Sequence, residues 1–209
     1  MYSTRSSRPH RNIIFHGNSL FNLANNSNTV SNGHYCANKI YTNILAGGKT
    51  KLNTIHLSIN GNPTTTKITN WSTQTLPVIK ENDLVVLWEI TNDVNVNALT
   101  GAQAYANLVT FAGLVHGVGA KIVCATAIPR NYISDTDQNA RNFDCNTLLR
   151  ASSGIFDLVI DLNADPVFDS QADASNTTYY LSDKLHLTGT GQDYVANLFS
   201  TTILNSGLL

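Results

Sequence analysis

Residues 13–20 read Ile13-Ile14-Phe15-His16-Gly17-Asn18-Ser19-Leu20, an apolar run followed by a glycine and then a serine. Consecutive β-branched and aromatic side chains suit a strand covered on both faces, so residues 12–16 are expected to form a buried strand. Gly17 lets the backbone turn sharply and delivers Ser19 just past the strand's carboxyl end. In open α/β sheets, ligands bind in the crevice outside those ends. Taken alone, the same stretch also describes a turn serine capping a short helix.

Outward from this segment the pattern repeats. Leu52, Ile55, Leu57 and Ile59 mark a second strand that ends in the turn Asn60-Gly61-Asn62-Pro63, and residues 83–90 a third that runs into Thr91-Asn92-Asp93. Residues 122–128, closed by Pro129, and 156–162 make the fourth and fifth. Helices are expected over 34–45, stopped by Gly47-Gly48, over 64–75 with Ile68 and Trp71 inward, over 136–150 and over 190–203. The clearest helix covers 98–116, with Ala102, Tyr105, Ala106, Val109, Ala112 and Val115 on one face; Ala140, Phe143, Leu148 and Leu149 support the 136–150 helix. Residues 25–33, rich in Asn and Ser, read as a surface loop beside Ser19, and 163–180 as a long polar connection. Strands alternating with helices predict an α/β protein, a three-layer αβα sandwich around a five-stranded parallel sheet. The 209 residues are expected to form one domain over 11–209, after a loose lead-in over 1–10.

Charged residues make up 13% of the chain and the formal net charge is -1, which gives no electrostatic case for nucleic acid or an anionic membrane. No apolar run is long enough to span a bilayer, and Met1 to Arg5 leads into no apolar stretch of a signal peptide. A surface of Asn, Ser and Thr is compatible with an extracellular or virion setting without fixing the compartment. Cys36, Cys124 and Cys145 are scattered and odd in number, so buried thiols are expected rather than a disulfide framework. The six histidines include no pair at metal-ligand spacing, so neither a metal nor a cofactor is expected.

Four turns then coincide at one edge of the expected sheet: Ser19 after the first strand, Gly61 after the second, Asn92 after the third, and Asp183 with His186 before the last helix. A serine hydroxyl needs a base to remove its proton as it attacks carbon. His186 suits that role, and Asp183, three residues earlier, can fix its tautomer through one local turn. An oxyanion formed from an ester carbonyl needs preorganised donors. Ser19 and Gly61 can offer backbone N-H groups, and Asn92 a neutral side-chain amide. Singly, Asp-x-x-His also describes a turn aspartate and a surface histidine, Gly61 a plain turn, and Asn92 a cap. Arg130 and Asn131, past the fourth strand, read as surface loop residues with a possible substrate contact. Glu89 is unexpected in so apolar a run and reads as a buried hydrogen-bonding partner rather than an acid catalyst.

Gly17-Asn18-Ser19-Leu20, Asn60-Gly61-Asn62, Thr91-Asn92-Asp93 and Asp183-Lys184-Leu185-His186-Leu187-Thr188 together resemble the four sequence blocks of the SGNH (GDSL-type) hydrolase family, in the same order and at similar spacing. The similarity extends from the first strand to the last helix. The resemblance implies a flavodoxin-like sandwich and a serine esterase. In it Ser19 is the nucleophile, His186 the base and later the acid, Asp183 the orienting carboxylate, and Ser19, Gly61 and Asn92 the oxyanion hole. Asn18 stands where the family usually has Asp, and Ile90 where it usually has Gly; a branched side chain at 90 is expected to narrow the crevice. A small acyl group on a carbohydrate is the first substrate expectation, since the loops near the site are rich in Asn, Ser and Thr and no long apolar lid is visible; a lipid or thioester acyl substrate stays open. The alternative is a weakly active or non-catalytic glycan-binding module on the same fold. The oligomeric state is not legible in the chain.

Overall fold

Ile13, Ile14 and Phe15 are wholly buried because the strand that carries them lies inside the sheet, with a neighbour on each side. The computed structural model describes residues 11–22, 35–131 and 136–209, so the expected lead-in over 1–10 and loop over 25–33 lie outside the described residues. Five strands, β1 (Arg11–Gly17), β2 (Leu52–His56), β3 (Leu84–Trp88), β4 (Lys121–Ala125) and β5 (Leu158–Ile160), pair in the order β2-β1-β3-β4-β5. Every pairing is parallel. This is the flavodoxin-like order, which reverses between β1 and β3 and opens its crevice there. The α/β three-layer sandwich expected from the sequence is therefore the observed architecture.

The helices are α1 (Ser19–Asn22), α2 (Tyr35–Ala46), α3 (Thr64–Thr69), α4 (Thr91–Asn95), α5 (Gly101–Gly117), α6 (Thr136–Ala151) and α7 (Gly189–Ser206). Successive strand side chains point to opposite faces. Ile13, Phe15, Val86 and Trp88 therefore pack with α2 and α7, while Ile14, Val85 and Leu87 pack with α5 and α6. Gly17 ends β1 where a Cβ would stand 2.8 Å from the Phe21 ring and 2.9 Å from the Trp88 carbonyl oxygen, so the close approach of β1 to β3 excludes any side chain there. All three cysteines are buried free thiols.

Three expectations need correction. The buried face of α5 runs through Ala104, Leu108, Phe111, Ala112 and Val115, and Ala102 and Ala106 face solvent. Alanines occur all round this helix, and the large Leu108 and Phe111 decide which side is inward. The expected 64–75 helix breaks at Asn70: α3 ends and a π turn over Trp71–Thr75 follows, closed by Leu76 N-H on the Trp71 carbonyl at 2.8 Å. Thr69 and Thr73 hydroxyls donate to the carbonyls of Thr65 and Asn70, the side-chain competition that bends helices. Third, the inner face of α6 is made largely of amides, with Asn139, Asn142 and Asn146 buried beside Cys145 and Leu149, and with Ala140 exposed. Asn146 exchanges two hydrogen bonds with the backbone of Ala127, and Asn139 two with Arg130. These amides bond the backbone that runs on past the end of β4, so that stretch is held by a helix.

Candidate active site

The carboxyl ends of β1 and β3 face one another at the switch point, and each ends in a short helix. Ser19 opens α1, while Asn18 uses its side-chain carbonyl to accept from Leu20 N-H at 2.9 Å, which tightens the turn. The hydroxyl of Ser19 lies 2.7 Å from His186 Nε2, across 167 residues of sequence. His186 Nδ1 lies 2.6 Å from Asp183 Oδ2. Asp183 Oδ1 also accepts from the backbone N-H groups of Leu185 and His186, at 3.0 and 2.9 Å. Partial burial pushes this carboxyl up, but the bonds from the His186 ring and from the two backbone N-H groups outweigh it and hold the pKa at about 2. Asp183 is therefore an anion throughout the neutral range, aimed at one ring nitrogen.

The turn that carries this pair is fastened at several points. Lys184 takes a left-handed φ of 55°, Leu181 N-H donates to the His186 carbonyl at 2.7 Å, and Asn131 N-H donates to the Lys184 carbonyl at 3.0 Å. The Tyr180 hydroxyl donates to the Pro129 carbonyl at 3.0 Å. Thr188 caps α7, and a Cβ on Gly191 would lie 2.2 Å from the Tyr179 carbonyl oxygen, so the glycine permits the helix to begin directly under the turn. Arg130, expected in a surface loop, is only 5% exposed, and Asn131 touches the histidine's turn.

In the chain past β2, Gly61 has a φ of 72° and no atom within 4 Å of the position a Cβ would take. Asn92 lies in the first turn of α4, and its amide nitrogen is buried without a hydrogen-bond partner among the described residues. A buried amide donor left unpaired costs free energy, as is common where a ligand completes the bonding. Ile90 precedes this turn at φ 114° and ψ -56°, a conformation foreign to a β-branched residue. Its side chain is wholly buried in the α5 and α6 core. The expected narrowing of the crevice is thus corrected: the side chain points away from it, and the departure from glycine is felt as backbone strain.

Sequence reasoning missed Lys67. Its ammonium lies 2.8 Å from Glu89 Oε2, with side-chain exposures of 4% and 0%, and it also donates to the Asn62 carbonyl at 2.9 Å. Glu89 Oε1 accepts from Asn18 Nδ2 at 2.8 Å. Burial pushes the Glu89 carboxyl up, against the opposing pull of Lys67 and Asn18. Lys67 is the one Lys, Arg, Asp or Glu between Lys51 and Lys80, and Glu89 directly follows the apolar run of β3. Two isolated charges in uncharged surroundings were the available signal. Among the described residues, no group of three or more His, Cys, Asp or Glu side chains is gathered as a metal site, and no helix is long and apolar enough to cross a membrane.

No family model and no curated protein matches this chain. Solved structures do. A protein described as a GDSL-like lipase from Parabacteroides merdae is 15% identical, with 97% of this chain and 98% of that one covered and a TM-score of 0.73. The lipase/acylhydrolase from Enterococcus faecalis is 20% identical, with 93% and 96% covered and a TM-score of 0.66. A catalytic mutant of an acetylxylan esterase from Geobacillus stearothermophilus is 11% identical, with 93% and 94% covered and a TM-score of 0.66. Over nearly its whole length, then, with the five strands in flavodoxin-like order, this chain has the SGNH (GDSL-type) hydrolase fold.

Proposed function

We propose that this protein is a serine ester hydrolase working through an acyl-serine intermediate. The observation that carries the reading is the relay from Ser19 Oγ to His186 Nε2 at 2.7 Å and from His186 Nδ1 to Asp183 at 2.6 Å. Ser19 Oγ attacks the ester carbonyl carbon as its proton passes to His186 Nε2. The oxyanion is received by the N-H groups of Ser19 and Gly61 and by the Asn92 amide, whose nitrogen has no other partner among the described residues. Collapse breaks the carbon-oxygen bond to the alcohol, which leaves with the proton held by His186. Water, losing a proton to the same imidazole, then attacks the acyl carbon; the carbon-Oγ bond breaks, the carboxylic acid leaves, and Ser19 Oγ takes back the proton from His186. Asp183, anionic throughout, holds the imidazole's other N-H and stabilises the imidazolium when it forms.

A small acyl group on a carbohydrate is the substrate class we favour. Support comes from the Asn, Ser and Thr of the adjoining sequence and from the acetylxylan esterases among the structures sharing the fold. No specific observation favours the non-catalytic binding module: Asn18 still closes the turn before Ser19 through its own hydrogen bonds, and the Ile90 side chain is buried away from the crevice. Hydrolysis of short-chain aryl esters by the parent and by Ser19→Ala tests the reading. Turnover should fall by about three to six orders of magnitude in the variant. Equal rates would overturn it.

A further inference from the structure

We propose that Lys67 and Glu89 are positioning residues: with Asn18 they form one buried chain that sets the spacing of the three turns bearing Ser19, Gly61 and Asn92. The inference rests on the reading of Ser19 as the nucleophile and those three residues as the oxyanion donors. Glu89 offers one oxygen to Asn18 Nδ2 and the other to Lys67 Nζ, both at 2.8 Å, and the same ammonium reaches the Asn62 carbonyl at 2.9 Å. Each partner neighbours a donor in the chain. Asn18 precedes Ser19, Asn62 follows Gly61, and Glu89 leads through the strained Ile90 into α4 and Asn92. Asp93 ties the same two segments again, accepting from the Thr64 N-H at 3.2 Å and from its hydroxyl at 2.6 Å.

A buried ion pair is a weak source of net stability, because desolvation consumes most of its attraction. Its geometry is nonetheless fixed, and displacing a catalytic group by about 1 Å can lower a rate about 100-fold. The direction of the bonds also explains the identity of residue 18. Its carbonyl oxygen is taken by Leu20 N-H, so its amino group must donate to Glu89. A carboxylate at 18 would stand against the Glu89 carboxylate, and the two positions are therefore matched in charge.

The test is kcat and KM on a short-chain aryl ester for the parent, Asn18→Asp, the pair Asn18→Asp with Glu89→Gln, and the pair Lys67→Met with Glu89→Gln, with folding checked by circular dichroism. Asn18→Asp should lower kcat about 10- to 100-fold with little change in KM, since the donors act in the transition state. Adding Glu89→Gln should return most of the loss, because the new amide can donate to the new carboxylate and still accept from Lys67. Lys67→Met with Glu89→Gln removes both charges together, so it should fold and yet lose about 10-fold in kcat. Parental kcat in Asn18→Asp, no recovery in its pair with Glu89→Gln, or parental kcat in the folded Lys67→Met pair would overturn the proposal. So would loss of folding in both Asn18→Asp and the Lys67→Met pair, which would make the chain a structural element only. Failure of the ester hydrolase reading is seen separately, in a parent no faster than Ser19→Ala.

Discussion

Asp183 and His186 sit three residues apart in one turn, with side-chain exposures of 39% and 23%. Asn18, Lys67 and Glu89 come from three segments and meet where water does not reach. The first arrangement is cheap in chain entropy, since one turn closes it, and it leaves the imidazole partly exposed. The second needs the whole sheet to be assembled before any of its bonds can form. The proposed base and its orienting carboxylate are thus carried on a local turn, while the proposed oxyanion side is held by non-local contacts, so the two should fail differently when disturbed.

The largest effect should come from the local side. Asp183→Asn removes the charge that fixes the His186 tautomer, and kcat should fall about 10³- to 10⁴-fold with the fold intact by circular dichroism. A loss below about tenfold would mean that the bond at 2.6 Å does not orient the base. The non-local side is probed by the Asn18, Lys67 and Glu89 variants above, with smaller losses confined to kcat.

Acid then separates the two regions by window. His16, behind the buried side, has its pKa lowered from 6.5 to about 3, first by burial and then by Lys67. The unfolded chain takes up this proton first, so stability present above pH 6.5 drains away as the pH falls towards 3. Asp183, lowered from 3.8 to about 2, contributes stability above pH 3.8 that is lost only between 3.8 and 2. The fall in Tm between pH 6.5 and pH 4 should therefore shrink in His16→Gln and persist in Asp183→Asn. Equal slopes in the parent and His16→Gln would show that the imidazole is not held neutral.

The smallest effect concerns Ile90. Both Ile90→Gly and Ile90→Ala lose a buried side chain, but only glycine tolerates φ 114°. Glycine should exceed alanine in stability by about 1 kcal/mol, the reverse of their usual order. Denaturant midpoints at equal slope measure the difference, and the usual order would deny the strain.

Legibility followed the same division. The strands, their parallel order and the Asp183-His186 pair are written in local signals: unbroken apolar runs, a glycine after β1, two residues within one turn. The inward faces of α5 and α6 were misread because alanine is small enough for either side and because buried asparagines look like surface residues in a sequence. Only the structure shows that Asn139 and Asn146 point inward to the backbone past the end of β4. Lys67 escaped for a geometric reason: its partners at 62 and 89 lie on different elements, and nothing in a linear pattern joins them.

The grip of α6 on the chain beyond β4 has a mechanical consequence. Asn139 clasps Arg130, the next residue donates to the Lys184 carbonyl, and Lys184 lies inside the histidine's turn. A helix in the layer opposite α7 therefore has leverage on the imidazole without approaching it. A shift of α6 would be passed through two backbone contacts to the turn that carries Asp183 and His186.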